Sequence, residues 1–189
     1  YESVGIMKNG ITVVPNGIKP QELKAAHPLG YFKNKYNIND SFLISFVGRI
    51  HEIKGLEFLV QSFALLLRKL PLSKLVIAGD DHGYLAELKK IIDKLNISDK
   101  IIFTGFVSGK DKWSLYLDSD VFVLPSKKEA FGNVVPEAAF NKTPIILSDG
   151  CAIATIAKEN GFGEIVPYGN IKMMSDILYK ILSNDALRK

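Results

Sequence analysis

A loop rich in glycine and cations, residues 48–55, is the first part of the sequence whose residue types suit chemistry. It reads GRIHEIKG and carries a guanidinium at Arg49 and an ammonium at Lys54. Glycines such as Gly48 let a backbone approach a ligand closely, while an arginine fork and a lysine charge suit the oxygens of a diphosphate. The spacing matches neither the Walker pattern nor the dinucleotide motif G-x-G-x-x-G. Two solvent-exposed cations at a turn are therefore an equal alternative for this loop taken alone.

Two carboxylates form the second candidate. Glu129 lies in the loop KKEAFGN of residues 127–133, and Glu137 lies in the helical stretch that follows. A carboxylate accepts two hydroxyl protons at once, so Glu129 is suited to the hydroxyls of a sugar and Glu137 to the diol of a ribose. Each has an ordinary alternative, a solvated loop acid for Glu129 and a favourable charge near a helix start for Glu137.

Backbone amides lie between these two carboxylates. Phe131, Gly132 and Asn133 are expected to present the N–H groups of a helix start to a phosphate. Pro136 is compatible with that helix start, because an early helical position needs no amide hydrogen. A glycoside hydrolase with paired carboxylates is ranked low, since such an enzyme needs no Arg-Lys phosphate clamp in a neighbouring loop.

Two shorter loops are candidates for contacts with a flat base. Gly79 ends the apolar run KLVIAG, and Phe106 with Val107 follows the run IIFTG. An ordinary turn is the more frequent explanation of either spacing. His82 is interpreted as a turn residue, and three scattered histidines with a single cysteine predict no transition-metal site.

All these loops follow short apolar runs, which are the elements that must position them. The runs FLISFV, KLVIAG, IIFTGF, VFVLPS, PIILSD and EIVPY alternate with stretches of helical periodicity. Continuous apolar runs are typical of strands that helices cover on both faces. The sequence therefore predicts an α/β fold with a Rossmann-like, doubly wound, mainly parallel sheet of about six strands and helices on both faces. Ligands of such sheets bind at the carboxyl ends of the strands.

The segment before these runs has a different composition. Residues 1–40 include the turn sequence Pro15-Asn16-Gly17 and further prolines. We interpret them as an interdomain linker that leads into a domain of residues 41–189. The start at Tyr1 reads as the middle of a longer protein, so the chain is expected to be a fragment.

Composition limits the class of protein. The chain has 189 residues, a formal net charge of +4 and one cysteine, Cys151. This charge suits an anionic ligand but falls short of a nucleic-acid-binding arm. A single cysteine allows no intrachain disulfide, which favours a cytoplasmic protein, and the apolar runs are too short to span a bilayer.

The motifs FVGRIHEIKG, IAGDDHG, IIFTGFV and EAFGNVVPE, followed by KTPIILSD, together resemble the C-terminal domain of family 4 glycosyltransferases. The resemblance covers nearly all of the chain from about Val13 onward. It implies one half of a GT-B fold that binds a nucleotide-diphosphate sugar, with the N-terminal acceptor domain absent from this chain. The full protein would then transfer a hexosyl group, with retention of the anomeric configuration and without a metal or other cofactor, to a glycan, glycolipid or polysaccharide.

The resemblance also implies roles by position. Arg49 and Lys54 would contact the diphosphate, Glu129 the transferred sugar and Glu137 the ribose. Electrostatic stabilisation of the leaving phosphate would be the main catalytic task, shared by Arg49, Lys54 and Glu129. The donor-binding set is Gly48, Arg49, Lys54, Gly79, Phe106, Val107, Glu129, Phe131, Gly132, Asn133 and Glu137.

Three departures from the family pattern and two alternative classes of protein stay open. In the first departure, Asn141-Lys142 stands where a small residue and a glycine are common. The segment GCAIAT of residues 150–155 stands where a glycine-rich loop ending in an acid is common, and the turn DDHG of residues 80–83 is one residue longer than usual. Another GT-B enzyme, an epimerase or a storage-polysaccharide synthase, is one alternative class, and a non-catalytic nucleotide-binding module is another. No nucleic-acid partner is expected, and any peripheral membrane contact would come through the missing domain.

Overall fold

One sheet of six parallel strands forms the centre of the computed structural model, which describes residues 26–38 and 40–188. The sheet order is β3-β2-β1-β4-β5-β6, and every neighbouring pair is parallel. The order reverses between β1 and β4, where a doubly wound sheet opens its ligand crevice. The strands are β1 (Phe42–Val47), β2 (Ser73–Ala78), β3 (Ile101–Gly105), β4 (Val121–Leu124), β5 (Ile145–Ser148) and β6 (Glu164–Val166).

Helices follow the strands and cover the sheet, so the predicted fold is confirmed. Each predicted apolar run overlaps one strand, and each stretch of helical periodicity between these runs overlaps one helix. Among the described residues, α2 packs against α7 and α1 packs against α4. The helices are α1 (Tyr31–Lys35), α2 (Leu56–Leu67), α3 (Leu85–Lys94), α4 (Gly109–Asp118), α5 (Val134–Phe140), α6 (Ala154–Glu159), α7 (Ile171–Leu182) and α8 (Asp185–Arg188).

The central strands are buried on both faces, as their continuous apolar runs predict. All four residues of β4 and all four of β5 are buried. The one polar side chain inside β1, Ser45, is fully buried and accepts a hydrogen bond of 2.7 Å from the Ser119 hydroxyl. Pairing this hydroxyl removes the cost of burying it alone. The strands thus form a rigid base for the loops at their carboxyl ends.

Helix α1 lies within residues 1–40, the segment interpreted from the sequence as a linker and entry segment. It packs against α4. Asp118, at the end of α4, accepts hydrogen bonds from the amides of Gly30 and Phe32 at 2.6 and 2.7 Å. Phe32 and Ile38 are buried in the core. A distant carboxylate caps this helix start, a contact that the local sequence does not contain.

Other parts of the predicted linker lie outside the described residues. They include the turn Pro15-Asn16-Gly17 and the start of the resemblance near Val13. Within the part of the chain that the structure describes, each helix is too short or too polar to cross a lipid bilayer.

Candidate functional site

Three adjoining pockets form one cleft along the carboxyl edge of the sheet. The first pocket, of about 430 Å³, lies beside the ends of β1, β2 and β3 and is lined by Gly79, Val107 and Glu137. The central pocket, of about 270 Å³, lies between β1 and β4. The outer pocket, of about 610 Å³, lies between the β1 loop and the loop after β5. Because Gly48 lines the first two pockets and Lys54 the last two, the cleft is continuous.

Every candidate residue from the sequence lines this cleft. The first pocket holds Gly48, Arg49, Gly79, Phe106, Val107 and Glu137. The central pocket holds Gly48, Lys54, Glu129, Phe131, Gly132 and Asn133. A further cavity, of about 480 Å³, lies at the opposite edge of the sheet beside the starts of β5 and β6 and contains none of them.

Lys54 and Glu129 form an ion pair in the central pocket. The Lys54 Nζ and the Glu129 Oε2 are hydrogen-bonded, although the two residues are 75 positions apart in the chain. Only 13% of the Lys54 side chain and 16% of the Glu129 side chain are exposed. Removing either partner would leave the other charge largely desolvated, and this is the costly situation for a buried pair.

The loop that carries Glu129 is fixed by its backbone. The Glu129 amide donates to the Gly150 carbonyl at 3.0 Å, and the Ala152 amide donates to the Glu129 carbonyl at 2.9 Å. Gly150 has no room for a side chain, since an added Cβ would lie 2.3 Å from the carbonyl oxygen of Lys127. The loops after β4 and β5 therefore pack backbone to backbone.

Gly132 turns this loop into α5. Its φ of +80° lies in the left-handed region, and an added Cβ would lie 2.9 Å from Leu124 Cδ2. Glycine adopts this conformation without strain. Helix α5 starts two residues later, at Val134, and the Val135 amide donates to the Gly132 carbonyl at 2.9 Å. The turn thus places the backbone of residues 131–133 at the wall of the central pocket.

Two residues that sequence analysis missed hold Glu137. The Lys112 ammonium lies 2.7 Å from Glu137 Oε1, and the Tyr116 hydroxyl donates to Glu137 Oε2 at 2.9 Å. Burial, followed by the nearby Glu137 charge, raises the pKa of Tyr116 well above its ordinary value. A spacing of four residues places Lys112 and Tyr116 on one face of α4, and this spacing is the one feature of the sequence that could have indicated the pair.

Arg49 differs from these paired groups. It is exposed and lines both the first and the outer pocket. Among residues 26–38 and 40–188, no carboxylate forms an ion pair with it. Its guanidinium is therefore a cation available to an anionic ligand at the junction of two pockets.

The comparison with known sequences identifies the family. A family model described as glycosyl transferases group 1 matches residues 31–189. The chain belongs to the group 1 glycosyl transferases. Its resemblance to a C-terminal GT-B glycosyltransferase domain is thereby confirmed.

One relative of this glycosyltransferase chain is CapM of Staphylococcus aureus, a capsular polysaccharide biosynthesis glycosyltransferase. The two are 31% identical over 96% of this chain and 48% of CapM. The chain spans about half or less of the length of the curated relatives that it matches.

Solved structures share the fold. Anabaena HepE in complex with UDP and glucose superposes with a TM-score of 0.82 at 18% identity, over 99% of this chain and 51% of HepE. The C-terminal domain of LpcC, a group 1 family protein from Francisella tularensis, superposes with a TM-score of 0.79 at 25% identity. That match covers 91% of both chains.

Two of the three departures from the family pattern, residues 150–155 and 80–83, also lie in the cleft of this glycosyltransferase domain. Gly150, Cys151, Ala152 and Thr155 line the outer pocket, together with Lys128. Burial raises the pKa of the Cys151 thiol, so this group stays a neutral thiol and is a poor nucleophile.

The longer turn at residues 80–83 is a helix cap. The Asp81 carboxylate accepts from the amides of Gly83, Tyr84 and Leu85 at 2.8, 3.0 and 3.1 Å. These bonds, that of Leu85 first, lower the pKa of Asp81. Next to it, His82 lines the first pocket.

The remaining histidines have structural contacts. His51 Nδ1 accepts from the Ile53 amide at 3.2 Å and caps the short turn Glu52–Lys54. The His27 ring stacks on Tyr31 with centroids 3.8 Å apart. Within the described ranges, no three His, Cys, Asp or Glu side chains form a group that could hold a metal ion.

Proposed function

We propose that this chain is the donor-binding part of a retaining glycosyltransferase and that its cleft binds a nucleotide-diphosphate sugar. The observation that carries the proposal is the placement of two cations and two carboxylates along one cleft at the reversal of the sheet order. Arg49 and Lys54 are the cations, and Glu129 and Glu137 are the carboxylates. This arrangement is complementary to a nucleotide-diphosphate sugar. The cations would face the negative diphosphate, and the carboxylates would accept hydrogen bonds from the hydroxyls of the ribose and of the sugar.

The sizes and lining residues of the three pockets support one orientation of the donor. The first pocket is mostly apolar and has Glu137 at its border, which suits a base with its ribose. The central pocket brings Lys54 together with the amides near Gly132, which suits a diphosphate. Glu129 faces the outer pocket as well, and this pocket has the room for a hexose. The solved structure of HepE contains UDP and glucose.

The proposed chemistry is electrostatic. Departure of the nucleoside diphosphate leaves negative charge on the oxygen released from the sugar, and Arg49 and Lys54 would stabilise that charge. The diphosphate charge is balanced by side chains of the protein, so we propose a reaction without a metal cofactor. Glu129 would bind hydroxyls of the transferred hexose and would not form a covalent bond to it. Retention then follows from attack on the face from which the diphosphate leaves.

The acceptor is proposed to bind largely outside this chain. The chain spans about half the length of CapM, a capsular polysaccharide biosynthesis glycosyltransferase. A glycan, glycolipid or polysaccharide acceptor would reach the open side of the outer pocket, with the other half of a cytoplasmic enzyme beside it. Because positioning of both substrates supplies a large part of the rate, the chain alone is expected to give little transfer.

Calorimetric titration with UDP-, GDP- and ADP-sugars tests the donor-binding part. The chain should bind one nucleotide class, and Glu137→Ala and Lys54→Ala should each weaken that binding by at least about tenfold. Lys110→Ala is the matched control, because Lys110 is exposed and does not line the cleft. Absence of binding to all three classes, by the chain and by the full-length protein, would contradict the proposal. Binding without transfer by the full-length protein would favour a nucleotide-binding module.

A further inference from the structure

Helix α4 holds the Glu137 carboxylate by both of its oxygens. Lys112 lies on Oε1 at 2.7 Å and Tyr116 on Oε2 at 2.9 Å. We propose that Lys112 and Tyr116 are positioning residues that orient Glu137 to accept a vicinal diol, and so make the cleft select ribonucleotides over 2′-deoxyribonucleotides. This inference rests on the proposed donor-binding function.

Neighbouring aromatic rings restrain both Tyr116 and Lys112. Tyr116 is fully buried, and its ring packs edge-on against Phe122 with centroids 5.6 Å apart. The Lys112 ammonium lies 4.8 Å from the centroid of the Trp113 ring, a cation–π contact. Only 21% of the Lys112 side chain and 14% of the Glu137 side chain are exposed. The rotation of Glu137 is therefore restricted before any ligand arrives, which is how a supporting shell gives a binding group its accuracy.

The remaining acceptor capacity of Glu137 fits a diol. An ionised carboxylate has about four lone-pair positions, two on each oxygen. Lys112 occupies one position on Oε1 and Tyr116 one on Oε2. One position on each oxygen is left, and two neighbouring hydroxyls need one each. Loss of the 2′-hydroxyl would leave a largely desolvated carboxylate oxygen without its second donor.

The two positioning residues differ in their relation to the pocket. Lys112 lines the first pocket beside Glu137, whereas Tyr116 lies beneath it in the core. Since the pKa of Tyr116 is well above its ordinary value, its hydroxyl stays a donor over the working pH range. Lys112 also balances the Glu137 charge, which would otherwise repel the phosphates of an approaching nucleotide. Tyr116 acts on orientation alone, and Lys112 acts on orientation and charge.

The test compares each of UDP, GDP and ADP with its 2′-deoxy form by calorimetric titration of the chain. The wild type should favour the ribonucleotide that it binds by at least about tenfold. In Tyr116→Phe and in Lys112→Met this preference should fall to within about threefold, because the carboxylate is then held at only one of its two oxygens. Lys112→Arg should restore most of the preference, since a guanidinium can donate to the same oxygen.

Two controls separate positioning from general damage. Lys110→Met makes the same charge change on the same helix at an exposed position and should keep the wild-type preference. Tyr179→Phe removes a phenolic hydroxyl from α7, away from the cleft, and should also keep the wild-type preference. If Tyr116→Phe unfolds the chain, Lys112→Met decides the matter, because its side chain is partly exposed.

The outcomes distinguish this inference from the proposed function. A wild type that prefers the ribonucleotide, with both variants keeping that preference, would overturn the positioning role and leave donor binding intact. A wild type that binds both forms equally would overturn the assignment of the ribose to Glu137, and the positioning role with it. Absence of binding to any of the nucleotides would overturn the proposed function and this inference together.

Discussion

The two carboxylates of the cleft, Glu129 and Glu137, are held in different ways. Glu137 has a donor on each oxygen, and both donors come from one helix that packs in the core. Glu129 has Lys54 on one oxygen, and its loop is fixed by backbone hydrogen bonds to the loop after β5. Lys54 is also the cation proposed to bind the diphosphate.

Because of this difference, Glu137 is positioned before a ligand binds, whereas the contacts of Glu129 must change on binding. Under the proposed function, a ribose would reach Glu137 without displacing either of its donors, because acceptor positions remain. A diphosphate would reach Lys54 only by sharing or replacing the Glu129 contact, and this would free that carboxylate for the proposed sugar. Binding of the diphosphate to Lys54 would thus make Glu129 available to the sugar.

Removing each cation in turn tests whether Glu129 and Glu137 are held in different ways. Lys54→Met should lower the affinity for the nucleotide sugar by about 100-fold, since the variant loses a phosphate contact and strands the desolvated Glu129. Lys112→Met should lower it by only about tenfold, because Tyr116 still donates to Glu137. Titration calorimetry on both variants measures the difference. Equal losses in the two variants would show that the two carboxylates are not held differently.

A change at Gly150 tests whether the Glu129 loop depends on backbone packing. In Gly150→Ala the new Cβ would meet the Lys127 carbonyl, so we expect a loss of about 1–3 kcal/mol in the free energy of unfolding. Binding of the nucleotide sugar should lose its advantage over binding of the nucleotide alone. Urea denaturation and titration calorimetry check the two effects.

Gly163→Ala is the matched control for that change. Its nearest neighbours would lie 3.5 Å from the added Cβ, an ordinary contact distance. It should therefore bind the nucleotide sugar as the wild type does. A Gly150→Ala variant as stable as Gly163→Ala would contradict the packing argument.

The Glu137 site predicts a dependence of stability on alkaline pH. The pKa of Tyr116 is raised in the folded state, so its contribution to stability is complete below the ordinary tyrosine pKa of about 10 and is lost as the pH rises above that value. Tyr84, whose pKa is raised to about 12, contributes in the same direction. Tyr116→Phe should therefore lose less stability than the wild type between about pH 9 and pH 11. Urea midpoints at the two pH values test this, and an unchanged loss would contradict it.

The smallest expected effect is at Phe106. This side chain is 70% exposed at the border of the first pocket, and its backbone, not its ring, is proposed to lie beside the base. Phe106→Ala should change nucleotide affinity by less than about threefold, since exposed single side chains contribute little. A loss above about tenfold in calorimetry would show instead that the ring stacks on the base.

The sequence was sufficient to predict the fold because each strand is a continuous apolar run followed by a helical stretch. The candidate residues were found because loops at the carboxyl ends of parallel strands meet at one edge of the sheet. Which of these residues contact each other was not predictable. The Lys54 and Glu129 pair depends on the packing of two loops that are far apart in the chain, and no local pattern encodes that distance.

The contacts of helix α4 could not all be predicted from the local sequence. The apolar periodicity of this helix begins only at Trp113, so periodicity alone does not place Lys112 in the helix, although the helix starts at Gly109. The Asp118 cap on α1 was also missed, since capping is usually read from residues next to the helix start. The cap at Asp81 could have been predicted from the sequence, because an aspartate shortly before a helical stretch is a common signal of a helix start.

Helix α4 also has a mechanical consequence. Asp118 at one end of the helix is bonded to the start of α1, and Asp111 near the other end pairs with Lys35 at 2.9 Å. Between them, Ser114 accepts from the His27 amide at 2.9 Å. The segment before the sheet is therefore fastened along the length of the helix that orients Glu137. A displacement of that segment would be transmitted along α4 to Glu137 and the first pocket of the cleft.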